Sequence, residues 1–570
     1  MLEKVRQNLK SALKKAANEA EFDSEGVEIG FDVPRHRNFG DLSTNFVMQI
    51  AKRSKLNPRE AAEKILARLE VDKTMVSKVE IAGAGFVNFF LSEGHLFDLL
   101  LKVDESDEFA SSETGKELRY NLEFVSANPV GPLNVVNARA ASVGNCLANL
   151  LRNAGFTVTK EYYYNDAGNQ TNVFGLSISL RYEELFGKMI VFPEECYAGD
   201  YIGDIAKRIK NEEGDKYLKS SESERVTAFK EKGLKWMIED SKKSLHAFGV
   251  DFDVWFNERS LHAPGVKVAE EFPLLKRFKV DNKIKEAAAI LAAKGLLKEE
   301  DGAVWFRSTA VNAGDDKDRV IIKNNGDYTY LAPDIAYLKD KFDRAEKVVV
   351  ILGPDHHGYI PRLRAAAIAL GRKAEDLVPL ISQQVNLIKD GQPFKMSKRK
   401  GSFITMDELV EDVGPDAAKY FFLRRSLESH LDFDMDLAKK HTEENPVFYV
   451  QYAHARIFNV IEHAKVSGIK PKKASEVNLS LLKEPEELEL LKKINNLPDT
   501  LLHAALESSP HLVPKYLEEL AGLFHSFYNK HRVVTDDREL SLARLVLVNA
   551  VRKVLKKGLE LLGVSAPSRM

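Results

Sequence analysis

The chain has 570 residues and a formal net charge of −2, a length that allows about three or four domains of ordinary size. With 44% hydrophobic and 29% charged residues it has a globular composition, and no apolar run reaches the ~18 residues needed to span a bilayer. The near-neutral balance excludes wholesale coating of a polyanion, and two cysteines, Cys146 and Cys196, exclude a disulfide framework or a four-cysteine zinc site and suit the cytosol.

Leu2, Val5, Leu9 and Leu13 recur at helical spacing among Lys and Glu, which predicts an amphipathic docking helix and no signal peptide. Residues 61–69 form a second helix. Residues 79–90 (VEIAGAGFVNFF) are β-rich with a glycine bend, and residues 105–114 read as a linker. A strand is expected at 120–125. A helix follows, with Cys146, Leu147, Leu150 and Leu151 on one face and its end near Gly155. Residues 172–262 read as a helix-rich, highly charged insertion. Residues 347–352 (KVVVIL) have the continuous apolar character of a strand buried on both faces of a parallel sheet, and an alanine-rich helix follows at 361–370. This alternation predicts a doubly wound sheet whose ligands sit in the loops at the strand ends. From about residue 435 only helices are expected: Leu488, Leu490 and Leu491, then Leu517, Leu520, Leu523 and Phe524, then Leu545, Val548 and Val551.

Three segments carry candidate chemistry. SANPVGPLNVVNARAASVG, from Ser126, breaks the first strand and starts a helix whose open backbone N–H groups suit an anion. Asn134 and Asn137 lie three apart, so their amides can face one ligand. FKMSKRKG, from Phe394, follows a predicted strand at 385–388 and places four cations in six residues on a loop, an arrangement a polyphosphate would stabilise. Thr405 and Glu408 form a capping box for the next helix. No G-x-x-x-x-G-K-[ST] loop is present. GPDHHGYIPR, from Gly353, offers Asp355, His356 and His357 either as metal ligands or as substrate-positioning groups. Two further basic clusters, Lys470/Lys472/Lys473 and Arg552/Lys553/Lys556/Lys557, have no assigned partner at this level.

KMSKRKG resembles the KMSK loop of class I aminoacyl-tRNA synthetases, and SANPVGPLNVVN resembles their HIGH region. EYYYNDAGNQ, DYTYLAPDIAYLKDKF, GPDHHGYIPRLRAA, SHLDFD, NPVFYVQYAHAR, HSFYNK and the terminal GLELLGVSAPSRM are similar to arginyl-tRNA synthetases in particular. The resemblance runs over nearly the whole chain. It implies an α/β multidomain protein: an α+β N-terminal domain at 1–112 that reads the tRNA D-loop, a Rossmann-type catalytic domain at 113–434 with its insertion, and an all-α anticodon-binding bundle at 435–570. The implied partners are L-arginine, ATP with Mg2+, and tRNA(Arg), for a cytoplasmic, monomeric enzyme with no structural zinc.

The resemblance also implies residue roles. Lys395 and Lys398, with Asn134 and Asn137, would stabilise the reacting phosphates. Pro129, Gly131, Val136, Met396 and Ser397 would complete the ATP site. Glu123 and Asp334 would accept the guanidinium, beside Tyr330. Asn128 would hold the backbone end of the amino acid, assisted by Asp355 or His356. Phe86 and Asn88, on one face by strand alternation, would stack on and hydrogen-bond a D-loop base. One departure stands out: the usual His-x-Gly-His reads Asn134-Val135-Val136-Asn137, so amides replace groups that can carry charge, and Val136 fills space a glycine leaves open. The alternatives are a tRNA-binding relative with weak or no ligation activity, against which the KMSK loop and acidic pocket argue, and a metal-dependent phosphoesterase, for which no second ligand cluster is found.

Overall fold

The computed structural model describes residues 2–34, 39–166, 168–268, 271–394 and 404–570. The first helix, α1 (Leu2–Glu19), buries Val5, Leu9 and Leu13 on the predicted stripe. Beyond it β1 (Leu42–Thr44), α2 (Phe46–Ser54), α3 (Pro58–Leu66), β2 (Val76–Ala82) and β3 (Phe86–Leu91) build an antiparallel sheet in the order β1-β3-β2. The predicted bend between β2 and β3 is a turn in which Gly85 takes φ 123° and packs on Pro58, where a Cβ would come within 3.0 Å. α4 (Glu93–Glu105) leads out.

The central part opens with β4 (Arg119–Glu123), α5 (Val135–Asn153) and β5 (Thr157–Tyr164). The insertion helices α6 (Asn169–Glu184), α7 (Asp200–Glu213) and α8 (Glu222–Ala247) follow, then β6 (Val254–Asn257), α9 (Arg259–His262) and α10 (Lys283–Ala293). β7 (Leu297–Glu300), β8 (Ala303–Phe306) and β9 (Arg319–Ile322) make a small antiparallel sheet. α11 (Leu331–Arg344), β10 (Lys347–Leu352), α12 (Ile360–Ala369) and β11 (Leu377–Ile381) return to the main sheet. Its order is β11-β10-β4-β5-β6, parallel throughout. The chain winds from β4 towards β6 and then crosses to β10 on the other side. The switch point is therefore between β4 and β10, where a crevice opens at the strand carboxyl ends.

β6 lies within the stretch read from sequence as a helical insertion, and the sheet β7-β8-β9 was not anticipated. These strands have four residues each, among them the charged LKEE of β7, too short for a period-2 pattern to register.

β12 (Val385–Lys389), β13 (Gln392–Phe394), α13 (Met406–Val413), α14 (Pro415–Leu423), β14 (Leu431–Asp434) and α15 (Met435–Lys439) complete this part. The remainder is helical among the described residues: α16 (Pro446–Val466), α17 (Pro485–Asn495), α18 (Leu497–Leu506), α19 (Leu512–Lys530) and α20 (Arg538–Leu562). One apolar core runs from α1 through β4 and α5 into α20, and an Arg6–Asp499 ion pair at 2.6 Å ties the first helix to α18. Among the described residues no helix is long and apolar enough to cross a membrane.

Candidate active site

At the end of β4 the chain turns through Val125 and Ser126, with φ 70° and 41°. Left-handed backbone is costly for a residue other than glycine, and for a β-branched one above all. The turn sets the Ser126 hydroxyl to donate to Glu123 Oε1 at 2.8 Å and to accept from the Tyr163 N–H at 3.2 Å. α5 then starts at Asn134. Asn134 Oδ1 accepts from the N–H groups of Val136 (2.9 Å) and Asn137 (3.2 Å), and Asn137 Oδ1 accepts from the Asn134 N–H (3.0 Å). The two asparagines therefore cap the helix reciprocally. The backbone donors expected to be open to an anion are already satisfied at Val136 and Asn137. The side-chain donors that remain are the two NH2 groups, which hydrogen-bond to nothing among the described residues. Val136 is half-exposed in the first turn. Further along, Gly144 lies against the Phe124 ring so closely that a Cβ would fall 2.2 Å from it. That contact sets α5 directly on the strand that carries Glu123.

Lys395, Met396, Ser397 and Lys398 lie outside the described residues. The chain just beyond them is held to the turn: the Met406 N–H donates to the Leu133 carbonyl at 2.8 Å, and Asn134 and Thr405 form an antiparallel bridge. Thr405 and Glu408 cap α13 as predicted. The insertion reaches both sides of this junction. Tyr201 of α7 donates to the Val130 carbonyl at 2.8 Å and packs on Gly131, beside the buried Pro129, and Ser244 of α8 donates to Asp407 at 2.6 Å. From α5, the buried Arg139 donates to the carbonyls of Gln383 (2.9 Å), Ser426 (2.8 Å) and Ser429 (2.8 Å). Burial pulls its guanidinium down to about 10.

Beside the turn is a cluster of carboxylates and tyrosines. Glu123, buried at the end of β4, accepts from Lys341 and from Ser126. Asp334, in the first turn of α11, accepts from the Tyr359 hydroxyl. Burial, then the nearby Glu258 and Glu123 carboxylates, push the Asp334 carboxyl up to about 6. Glu258 accepts from Tyr163 at 2.7 Å. Glu161, behind Glu123 on β5, is satisfied by Tyr337 (2.7 Å), Arg344 (2.6 Å) and Asn121 (2.8 Å). Tyr330 is 80% exposed at the start of α11. Asn128 donates to Gln170 at 2.8 Å. Asp355, His356 and His357 are exposed on the loop after β10, with His356 Nδ1 3.2 Å from Asp355.

Tyr359, Glu258, Tyr163 and Lys341 were not singled out from sequence. Lys341 alone had a spacing signal: it stands seven residues, two helical turns, after Asp334.

Away from this crevice, Phe86 is 40% exposed on β3, while Asn88 is 2% exposed and accepts from the Ser43 hydroxyl at 2.7 Å. A second aromatic surface, also unassigned from sequence, lies on α16 and α19. Phe448 and Tyr452 stack (5.9 Å, 8°), Tyr452 stacks on His525 (6.0 Å, 23°), and Arg456 lies 4.3 Å over the Tyr528 ring. Stacked rings beside an arginine are a common platform for unpaired bases.

Comparison with known proteins covers these same parts. A family model for the arginyl tRNA synthetase N terminal domain matches residues 3–91. One for the class I (R) tRNA synthetase catalytic domain matches 101–421, and one for the DALR anticodon binding domain matches 450–570. The chain is 45% identical to an arginine–tRNA ligase of Citrifermentans bemidjiense over 545 residues, 95% of each chain. It is 44% identical to that of Bacillus subtilis over 573 residues, covering 100% of this chain and 99% of the other. The fold matches the arginyl-tRNA synthetase of Thermus thermophilus with a TM-score of 0.76 over 99% of this chain and 100% of that one, at 20% identity. With family models along its length and relatives this close from end to end, the chain belongs to the class I arginyl-tRNA synthetases.

Proposed function

We propose that this arginine–tRNA ligase works through the crevice between β4 and β10, with ATP over the Asn134 turn and the arginine side chain in the acidic pocket. The observation that carries the reading is the junction of Asn134 with Thr405, which joins the turn to the described chain that follows the cationic segment. The arginine carboxylate attacks the α-phosphate of ATP and pyrophosphate leaves; the adenylate then passes its arginyl group to the terminal ribose hydroxyl of tRNA(Arg). Positioning and charge stabilisation do most of this work. The Asn134 and Asn137 amides donate to the phosphates. Lys395 and Lys398 neutralise the departing pyrophosphate. Pro129, Gly131, Val136, Met396 and Ser397 line the nucleotide site.

Asp334 and Glu123 accept the guanidinium, a planar fork suited to carboxylates, with Tyr330 covering it. Asn128, with Asp355 or His356, holds the amino acid's backbone end. Mg2+ enters on the triphosphate, its usual carrier. Phe86 meets the D-loop, while Asn88, buried against Ser43, holds the strand behind it and does not reach the base, and the Tyr452–His525 surface meets unpaired anticodon bases. The family resemblance supports a monomer acting in the cytoplasm, where tRNA and ATP are found.

The test is arginine-dependent exchange of pyrophosphate into ATP, with and without tRNA(Arg). Exchange only with tRNA is expected. tRNA binding with no exchange under either condition would favour a non-catalytic relative.

A further inference from the structure

Lys341 is 2% exposed, an unusual state for a lysine, and it is the only cation in ion-pair range of Glu123 among the described residues. It lies on the face of α11 that presents Asp334, Tyr337 and Arg344 to the sheet. Its ammonium bonds to Glu123 Oε2 and lies 4.0 Å over the Tyr337 ring. Breaking a buried pair strands a charge at high cost, so Lys341 cannot simply swing away when substrate arrives. The second oxygen of Glu123 meets only the Ser126 hydroxyl among the described residues. We propose that Lys341 is a positioning residue of the arginine pocket, holding one oxygen of Glu123 so that the other, together with Asp334, is presented to the substrate guanidinium. This rests on the reading that Glu123 and Asp334 face arginine.

The charges around the pocket explain the need. Glu123 faces Lys341 and Tyr337 from α11 and Glu161 and Tyr163 from β5. Asp334 faces Tyr359, Glu258, Glu123 and Lys341. Glu161 is matched by Arg344 and Glu258 has His262 at 3.6 Å, so among the described residues the pairing of Glu123 falls to Lys341. It also draws Asp334 towards its ionised, guanidinium-binding form, against burial and its acidic neighbours. As pH falls through about 6 Asp334 takes up a proton and arginine binding weakens. Without Lys341 that loss begins at higher pH.

The experiment measures tRNA-dependent pyrophosphate exchange by the full chain at pH 6 to 8.5 for Lys341→Met, Lys341→Arg, Glu123→Gln and the Glu123→Gln/Lys341→Met double variant. Lys341→Met is expected to raise the arginine KM about tenfold or more, the loss of a charge-assisted contact. The rise is larger at the acid end, while the KM values for ATP and tRNA stay within about twofold. Lys341→Arg recovers most of the loss. The double variant is no worse than Glu123→Gln alone, because Lys341 acts through Glu123. Additive losses, a wild-type arginine pH profile in Lys341→Met, or a parallel rise in all three KM values would overturn the proposal. Should Lys341→Met fail to fold, the double variant, which removes both charges, decides: a folded chain with the Glu123→Gln KM supports the role, and an unfolded chain or a higher KM overturns it. If Glu123→Gln and Asp334→Asn both leave the arginine KM untouched, the pocket itself is misassigned, an outcome distinct from failure at Lys341 alone.

Discussion

Asn134 carries two groups with separable tasks. Its oxygen caps α5 through the N–H groups of Val136 and Asn137, and its amide NH2 has no partner among the described residues. Losing an N-cap costs about 1 kcal/mol, whereas losing a transition-state donor costs about 10²- to 10³-fold in rate. Asn134→Asp tells them apart, since the two side chains have the same shape. Aspartate keeps the capping oxygen and adds a negative charge that the helix start favours, but it replaces the donor with a group that repels phosphate. The thermal midpoint should hold or rise slightly, while exchange falls by at least about a hundredfold. An unchanged rate would mean that Asn134 is a cap and nothing more. The same reasoning bears on the missing histidines. An amide hydrogen bond is worth less than a charged one, about 0.5–1.5 against 1.5–3 kcal/mol, but here the triphosphate supplies the charge.

The elements around the crevice are joined less by their own contacts than by one side chain. Arg139 leaves α5 and gathers three carbonyls, one after β11 and two before β14. Those segments flank β12, which pairs with β14 in parallel and with β13 antiparallel and so leads into residues 395–403. The guanidinium thus fixes the ends of β12 and β14 relative to the helix that starts at Asn134. Arg139→Met should cost about 3 kcal/mol or more of stability, because three carbonyls lose a charged donor that is itself buried. The ATP KM should rise while the arginine KM holds. Equal rises in both would show general loosening instead.

None of this could be read from sequence, where Arg139 looks like one more polar residue in a helix. What was legible is local: the apolar stripe of α1, the uninterrupted apolar run of β10, the Thr405–Glu408 box. Contacts such as Lys341 to Glu123, 218 residues apart, or Tyr359 to Asp334, 25 apart, depend on how α11 lands on the sheet. Spacing along the chain cannot encode them. Asp334 and Glu123 were found only because the segments around them resemble a family.

At the scale of the whole molecule, the two aromatic surfaces sit on different parts of one continuous core. Phe86 lies on the N-terminal sheet and the Tyr452 stack on the C-terminal helices, with α1 tied to α18 by Arg6 and Asp499. Burial raises the Asp499 carboxyl while Arg6 opposes it, so the pair both bridges the two parts and depends on their staying docked. On the proposed reading, rigid spacing would let one tRNA engage both surfaces with little further loss of entropy. Each stacked base is worth about 1–3 kcal/mol. Phe86→Ala and Tyr452→Ala should each weaken tRNA binding by an amount in that range, measured by filter binding or fluorescence titration. The two surfaces share no partner, so the losses should add to within about 0.5 kcal/mol in the double variant. With tRNA saturating, the exchange rate should recover, because neither ring touches the crevice. A double variant no weaker than the worse single one would mean that the surfaces do not hold the same tRNA at once, and the picture of a rigid two-point template would have to be given up.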